Sequence, residues 1–192
     1  MTQDYNFLSR TLSQFEYFLT LEIKNMKYPK SFSHIGLTVP DINKAVTFYQ
    51  EVMGWYVIVP PSTVKKENDN AITRMCIDVF GDEWEEFDIA HVSTADGIGI
   101  ELFSFPHGDK SPPEFKPFDT GLFHFCVQDP DIETLTKKIV EAGGKQRMPI
   151  RKYFPDDKPY SMVYVEDPFG IVFEIYTHSY ELTYSPNAYK ES

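Results

Sequence analysis

The sequence predicts an α+β fold made of two tandem β-α-β-β-β modules. Three observations predict it: a repeat at a spacing of 90 residues, short strand-like runs, and one apolar helical stripe per repeat. The repeat lays His34-Ile35-Gly36-Leu37-Thr38-Val39-Pro40-Asp41-Ile42 over His124-Phe125-Cys126-Val127-Gln128-Asp129-Pro130-Asp131-Ile132. It continues without a gap to Glu51/Glu141 and Gly54/Gly144. The identical residues include His, Pro and Asp, and the Pro and Asp stand where a strand must stop and a helix must start.

Each repeat opens with an apolar strand that Pro40 or Asp129-Pro130 ends, because proline cannot donate to a sheet ladder. Asp41 and Asp131 are strong helix N-caps. The helices are expected over Ile42–Met53 and Ile132–Ala142. Ile42, Ala45, Val46, Tyr49 and Val52/Met53 form one stripe; Ile132, Leu135, Ile139 and Ala142 form the other. Gly54 and Gly143/Gly144 end them as left-handed caps. Trp55–Pro60 and Lys145–Pro149 read as the next strands, followed by Phe87–Ser93 and Tyr160–Val165. The closing strands are Gly97–Phe103 and Gly170–Tyr176, each with one Glu at its centre.

The expected organisation is an N-terminal arm over 1–30, a first module over 31–105 and a linker over 106–120. A second module over 121–178 and a C-terminal tail over 179–192 follow. The first module carries an insert at 61–86, in which Ile72, Met75, Cys76, Val79 and Phe80 predict a helix at about 69–80. In the arm, Phe7, Leu8, Leu12, Phe15, Phe18 and Leu19 predict an amphipathic helix that packs on the rest. The Pro-rich linker PHGDKSPPEFKPFDT reads as extended.

Composition narrows the function classes. The 192 residues suit one domain or two small halves sharing a core. An apolar content of 42% argues against disorder. The net charge of −11 argues against nucleic acid and against anionic membranes, since phosphate binding needs a basic surface. No apolar run is long enough to span a bilayer, and the first residues lack the pattern of a secretory signal. Cys76 and Cys126, with no C-x-x-C pair, read as reduced thiols in a cytoplasmic protein.

Strand parity then assigns faces. Ile35, Leu37 and Val39 share one face of the first strand, with His34, Gly36 and Thr38 on the other. Phe125 and Val127 likewise oppose His124, Cys126 and Gln128. Ile100 and Leu102 oppose Gly99, Glu101 and Phe103; Ile171, Phe173 and Ile175 oppose Val172, Glu174 and Tyr176. One face is apolar and suits the helices. The other presents His34, Glu101, His124 and Glu174. Two carboxylates inside a cleft need a cation, and one divalent metal ion held by two imidazoles and two carboxylates meets that need. His91 shares the parity of Phe87 and Ile89 and is open between lining the cleft and packing. His107 and His178 receive no role. Cys126 reads as a small filler and Cys76 as core. Phe103, Phe105, Phe123 and Tyr176 read as core that also walls the cleft.

The motifs SHIGLTVPDINKAVTFYQEVMGW, IGIELFSFP, GLFHFCVQDPDIETLTKKIVEAGG and YVEDPFGIVFEIY resemble the vicinal oxygen chelate superfamily over Phe32 to Thr177. That superfamily includes glyoxalase I, methylmalonyl-CoA epimerase, extradiol dioxygenases, fosfomycin-resistance enzymes and bleomycin-resistance proteins. The resemblance implies a fold of paired βαβββ modules around a metal-binding cleft. Its ligands come from the first and last strand of each module, here His34, Glu101, His124 and Glu174. The His-Glu-His-Glu set is similar to one version of glyoxalase I. Dioxygenases and fosfomycin enzymes use two His and one Glu, epimerases often carry Gln at the Glu101 position, and bleomycin-resistance proteins typically lack the ligands.

The activity implied is that of a lactoylglutathione-lyase-like lyase or isomerase. It would act on a small molecule with adjacent oxygens, by proton abstraction next to a chelated carbonyl. Glu174 is expected as the mobile base, with Glu101 complementary to it. The ion is one of nickel, zinc, cobalt, manganese or iron, and glutathione is the implied co-substrate, although no glutathione-binding cluster is identifiable. A homodimer is expected, with each site formed within one chain because the linker Pro106–Thr120 is long enough to let its two modules meet. The alternatives are an epimerase, an iron(II) dioxygenase and a non-catalytic small-molecule binding or resistance protein.

Overall fold

A computed structural model describes residues 29–67, 70–152 and 158–185. The expected arm helix lies outside the described residues, as does the end of the C-terminal tail. The chain divides into two units, Met1–Phe32 and Ser33–Ser192, and the helices and strands of the described residues belong to the second.

Two mixed sheets carry the fold. The first joins β1 (His34–Thr38), β2 (Tyr56–Lys65), β3 (Glu86–Ser93) and β4 (Gly99–Ser104) in the order β1-β4-β3-β2. The second joins β5 (Phe125–Gln128), β6 (Lys145–Gln146), β8 (Ser161–Glu166) and β9 (Val172–Tyr176) in the order β5-β9-β8-β6, with β7 (Arg151–Lys152) also on β8. In both, the first strand runs parallel to the last and the other pairs are antiparallel. Helices α1 (Ile42–Glu51) and α3 (Ile132–Glu141) follow the first strands. The fold is therefore the expected α+β pair of βαβββ modules.

Local chemistry explains the helices. The Asp41 carboxylate accepts from the Asn43 and Lys44 amides, and Asp131 accepts from the Thr134 amide. These side chains satisfy donors that a helix start leaves open. The buried faces are Ile42, Ala45, Val46 and Tyr49 in α1 and Ile132, Leu135 and Ile139 in α3. They join Leu37, Ile100 and Leu102 of the first sheet and Val163, Val165, Phe173 and Ile175 of the second in one core. Both modules thus bury their apolar faces together, at roughly 1.5–3 kcal/mol for each large side chain.

Strand β2 runs five residues past the expected stop at Pro60. It is an edge strand, and its register shifts between Val57 and Val59 and between Val59 and Ser62. At an edge, and at a bulge, two prolines remove no obligatory ladder bond. The insert helix forms as α2 (Ala71–Phe80), but its expected apolar stripe is not buried in the described chain. Only Thr73 and Cys76 are covered, while Ile72, Met75 and Val79 face outward. The helix side of the first sheet already belongs to α1, so α2 lies instead on a cluster of Trp84, Phe87, Phe103 and Phe105. That cluster has the same strand parity as Glu101.

Residues 106–120 form no helix or strand and are exposed except at Phe115 and Pro117, which are half-buried. Pro112 and Pro113 close on Gly170, where a Cβ would lie 2.6 and 2.9 Å from their ring atoms. Phe115 meets the Phe123 ring at 5.9 Å and the Arg147 guanidinium at 4.1 Å. Gly144 is equally confined: a Cβ there would run into the Glu166 carbonyl oxygen and come within 2.7 Å of Ile139 Cγ2. Gly144→Ala is expected to destabilise the fold by at least about 1–3 kcal/mol through overpacking, read as a lower urea midpoint. An unchanged midpoint would mean that α3 and β8 can separate without cost.

Candidate metal centre

The four expected ligands stand at equivalent places. His34 opens β1 and Glu101 is central in β4; His124 immediately precedes β5 and Glu174 is central in β9. Strand pairing sets two matching rows. Gly36, Glu101 and His91 lie side by side across the first sheet, and Cys126, Glu174 and Tyr164 across the second. His91 therefore lies on the polar face beside Glu101.

The structure brings the ligands together two by two. His34 Nε2 lies 3.8 Å from Glu101 Oε2, and His91 Nδ1 lies 3.9 Å from Glu101 Oε1. In the second module His124 Nε2 is 3.1 Å from Glu174 Oε2. Among the described residues, no group of three or more His, Cys, Asp or Glu side chains is placed to hold a metal ion.

The donors nevertheless suit one. First-row ligand bonds are about 2.0–2.2 Å, so two donors at right angles on one ion stand about 3 Å apart. The His124–Glu174 pair has that spacing, and the His34–Glu101 pair has a wider one. His124 Nδ1 is buried without a hydrogen-bond partner, so the chain by itself leaves this imidazole unsatisfied. Each module thus offers one imidazole–carboxylate pair.

The two halves differ in enclosure. The His34 and Glu101 side chains are 54% and 30% exposed, against 24% and 8% for His124 and Glu174. The second strand face also meets α4 (Tyr180–Tyr184), a helix in the expected tail. Its Tyr184 hydroxyl lies 2.7 Å from that of Tyr176, two residues beyond Glu174 on the same strand face. Tyr164 is the cross-strand neighbour of Glu174; burial first, and then the nearby Glu174 carboxylate, push its phenol well above its ordinary range. Desolvation of its sulfur and the Glu174 charge push the Cys126 thiol up to about 12, although part of the residue reaches solvent. Cys126 accordingly stays protonated at neutral pH and is no nucleophile there.

A family model described as the glyoxalase/bleomycin resistance protein/dioxygenase superfamily matches residues 31–175. The chain belongs to that superfamily. Within it, the chain is 21% identical over 164 residues to a lactoylglutathione lyase from Pseudomonas putida, covering 75% of this chain and 83% of that one. Its fold is similar to that of a glyoxalase family protein from Bacillus cereus, with TM-score 0.62 and 18% identity over 79% of this chain and 95% of that one. It is similar too, at TM-score 0.50 and 18% identity, to a fosfomycin resistance protein from Listeria monocytogenes, covering 80% of this chain and 94% of the other. That protein is a mutant complexed with Mn(II) and 1S,2S-dihydroxypropylphosphonic acid.

Sequence reasoning about this superfamily member missed Tyr164 and α4. A signal for Tyr164 was present: it stands as far before Glu174 as His91 stands before Glu101, ten residues in each case. No helix among the described residues is long and apolar enough to cross a membrane.

Proposed function

We propose that this chain is a divalent-metal-dependent lyase or isomerase of the glyoxalase I type, working as a cytoplasmic homodimer. The observation that carries it is the pair of matched His/Glu half-sites, His34 with Glu101 and His124 with Glu174. The resemblance to a lactoylglutathione lyase supports the reaction class, and the Mn(II) complex of a fold relative supports a divalent ion.

The half-sites favour a site shared between two copies. An isologous dimer sets the first half-site of one copy against the second half-site of the other, twice over. His34, Glu101, His124 and Glu174 would hold the ion. A bound divalent ion supplies Lewis-acid polarisation of a chelated carbonyl, which acidifies the adjacent C–H. The substrate is a hemithioacetal of glutathione and a 2-oxoaldehyde, which presents adjacent oxygens. One of the Glu101 and Glu174 carboxylates accepts the proton from the thioacetal carbon. The proton then returns to the neighbouring carbon and the hydroxyl proton passes to the former carbonyl oxygen, giving a 2-hydroxyacyl thioester with no net oxidation. Phe87, Phe103 and Phe105, packed under α2 on the Glu101 side of the sheet, give that side of the site an apolar neighbour.

Two measurements test this reading. Metal analysis of the purified protein is expected to find one divalent ion per chain, and the reloaded protein is expected to turn over methylglyoxal with glutathione in an ultraviolet assay. A protein free of metal would sink the metal reading; a loaded protein without turnover would sink the glyoxalase assignment. Mixing His34→Ala with His124→Ala protein tests the shared site, because a mixed dimer keeps one intact set of four ligands. Regained metal binding is expected. Its absence would mean that each site forms within one chain.

A further inference from the structure

A cavity of about 340 Å³ lies between the linker and the starts of β5 and β9. Its walls are mainly apolar: Leu37 of β1, Phe115 of the linker, and Phe123, Phe125, Ile171 and Val172. The linker wall is fixed in place. Pro112 and Pro113 close on Gly170, and the Phe115 ring meets both the Phe123 ring at 5.9 Å and the Arg147 guanidinium at 4.1 Å. The charged members of the lining, Glu114, Lys116 and Asp119, are exposed, and Lys116 pairs with Glu114 at 2.9 Å. No buried charge therefore calls for an ionic ligand. His124 belongs to the same lining, with its ring 4.2 Å from that of Phe123. Val172 shares the strand face of Glu174. The cavity thus adjoins the His124–Glu174 pair.

We infer that this cavity is the subsite for an apolar group of the substrate, an aromatic ring or a branched hydrocarbon carried by the 2-oxo carbon. The inference rests on the proposed metal reading and deepens it, because it names the substituent that the substrate brings. Ligand cavities start at about 300 Å³, and a dry apolar cavity of about 150 Å³ already takes up benzene. A methyl group would leave most of this space as water against apolar walls, whereas a phenyl ring covers those walls. The position fits as well. An ion held by His124 stands next to the cavity that His124 lines, so the group beside the chelating oxygens has an apolar place to go.

Calorimetric titration of cobalt(II)-loaded protein with benzoylformate and with pyruvate tests the inference. The two acids share their adjacent oxygens and differ in phenyl against methyl. Benzoylformate is expected to bind more tightly by about tenfold or more, through burial of the ring. Phe115→Ala removes the aromatic wall and is expected to bring that ratio down to about threefold or less. Leu122→Gln changes a lining residue that is mostly in solvent, so folding is not at stake, and it is expected to lower the ratio too. Failure of the loaded parent to bind benzoylformate would overturn the inference, as would affinities for the two acids within about twofold of each other. A ratio that neither substitution lowers would overturn it as well. A parent that takes up no cobalt(II) at all means instead that the metal reading has failed. The cavity is then decided by saturation-transfer NMR of toluene with the metal-free protein. Transfer that Phe115→Ala or Leu122→Gln weakens upholds an apolar binding cavity; no transfer, or transfer that neither variant changes, overturns it.

Discussion

His124→Ala protein is expected to lose divalent-ion binding altogether, a loss well beyond the roughly 100-fold that removal of an outer partner costs. Its Nε2 is the donor closest to a site carboxylate, 3.1 Å from Glu174 Oε2. Of the four side chains, Glu174 is also the most enclosed. Without the imidazole, that carboxylate loses the ring nitrogen beside it. A buried carboxylate stripped of a partner is costly, so the metal-free variant should also be less stable than the parent. Dialysis against a known ion concentration followed by elemental analysis measures the first effect, and urea denaturation the second. Retention of a full complement of metal by this variant would remove His124 from the ligand set. His34→Ala should cost less in metal-free stability, because more than half of that side chain is already in solvent.

Asp167→Ala should cause the largest loss of stability, about 3–5 kcal/mol. Asp167 is nearly inaccessible and accepts three hydrogen bonds. Tyr49 Oη donates to Oδ2 at 2.7 Å from α1 of the other module, and the Phe169 and Ile171 amides donate to Oδ1 at 2.8 and 2.9 Å. Alanine would leave these donors without their acceptor, at about 1–3 kcal/mol for each one buried. The turn before β9 would loosen, and with it the strand that carries Glu174. Asp167→Asn keeps an acceptor for the two amides and should cost clearly less. Equal losses from Ala and Asn would show that charge matters here rather than the acceptor geometry.

The same residue gives a pH signature. Burial outweighs the three hydrogen bonds and holds the Asp167 carboxyl above its ordinary value of 3.8. The folded chain therefore binds more protons than the unfolded chain between those two values. The proton-linked part of its contribution is fully present below the ordinary value and is lost as pH rises through the raised one, while the three hydrogen bonds persist. Asp167→Asn removes that component. Comparing the pH dependence of the urea midpoint between parent and Asp167→Asn through the acidic range would reveal it.

Much of this fold was legible because it rests on local rules repeated twice. Asp after Pro favours a helix start, as at Asp41 and Asp131, and alternate residues of a strand take opposite faces whatever the partner strand is. Those rules placed α1, α3 and the polar face carrying His34, Glu101 and Glu174. They failed where the neighbour decides. Pro60-Pro61 stops a central strand but not an edge strand, and the order of strands is not a local property. The stripe of α2 marks a helix without saying what covers it, and α1 had already taken the apolar side of the first sheet. The helix α4 is only five residues long, too short for its periodicity to stand out.

The sequence by itself determined the two modules, the equivalence of their elements, and the four ligand-competent side chains on one face of each sheet. Tertiary structure alone decided how those side chains meet. It sets His34 with Glu101 and His124 with Glu174 as separate pairs, because each pair is built on the parallel first and last strands of its own sheet. It ties the modules through Tyr49 and Asp167, 118 positions apart. It also makes two carboxylates of identical chemistry unequal in enclosure, with Glu101 30% and Glu174 8% exposed. Residue type and spacing are local quantities, whereas enclosure and hydrogen-bond length depend on which strand lies alongside.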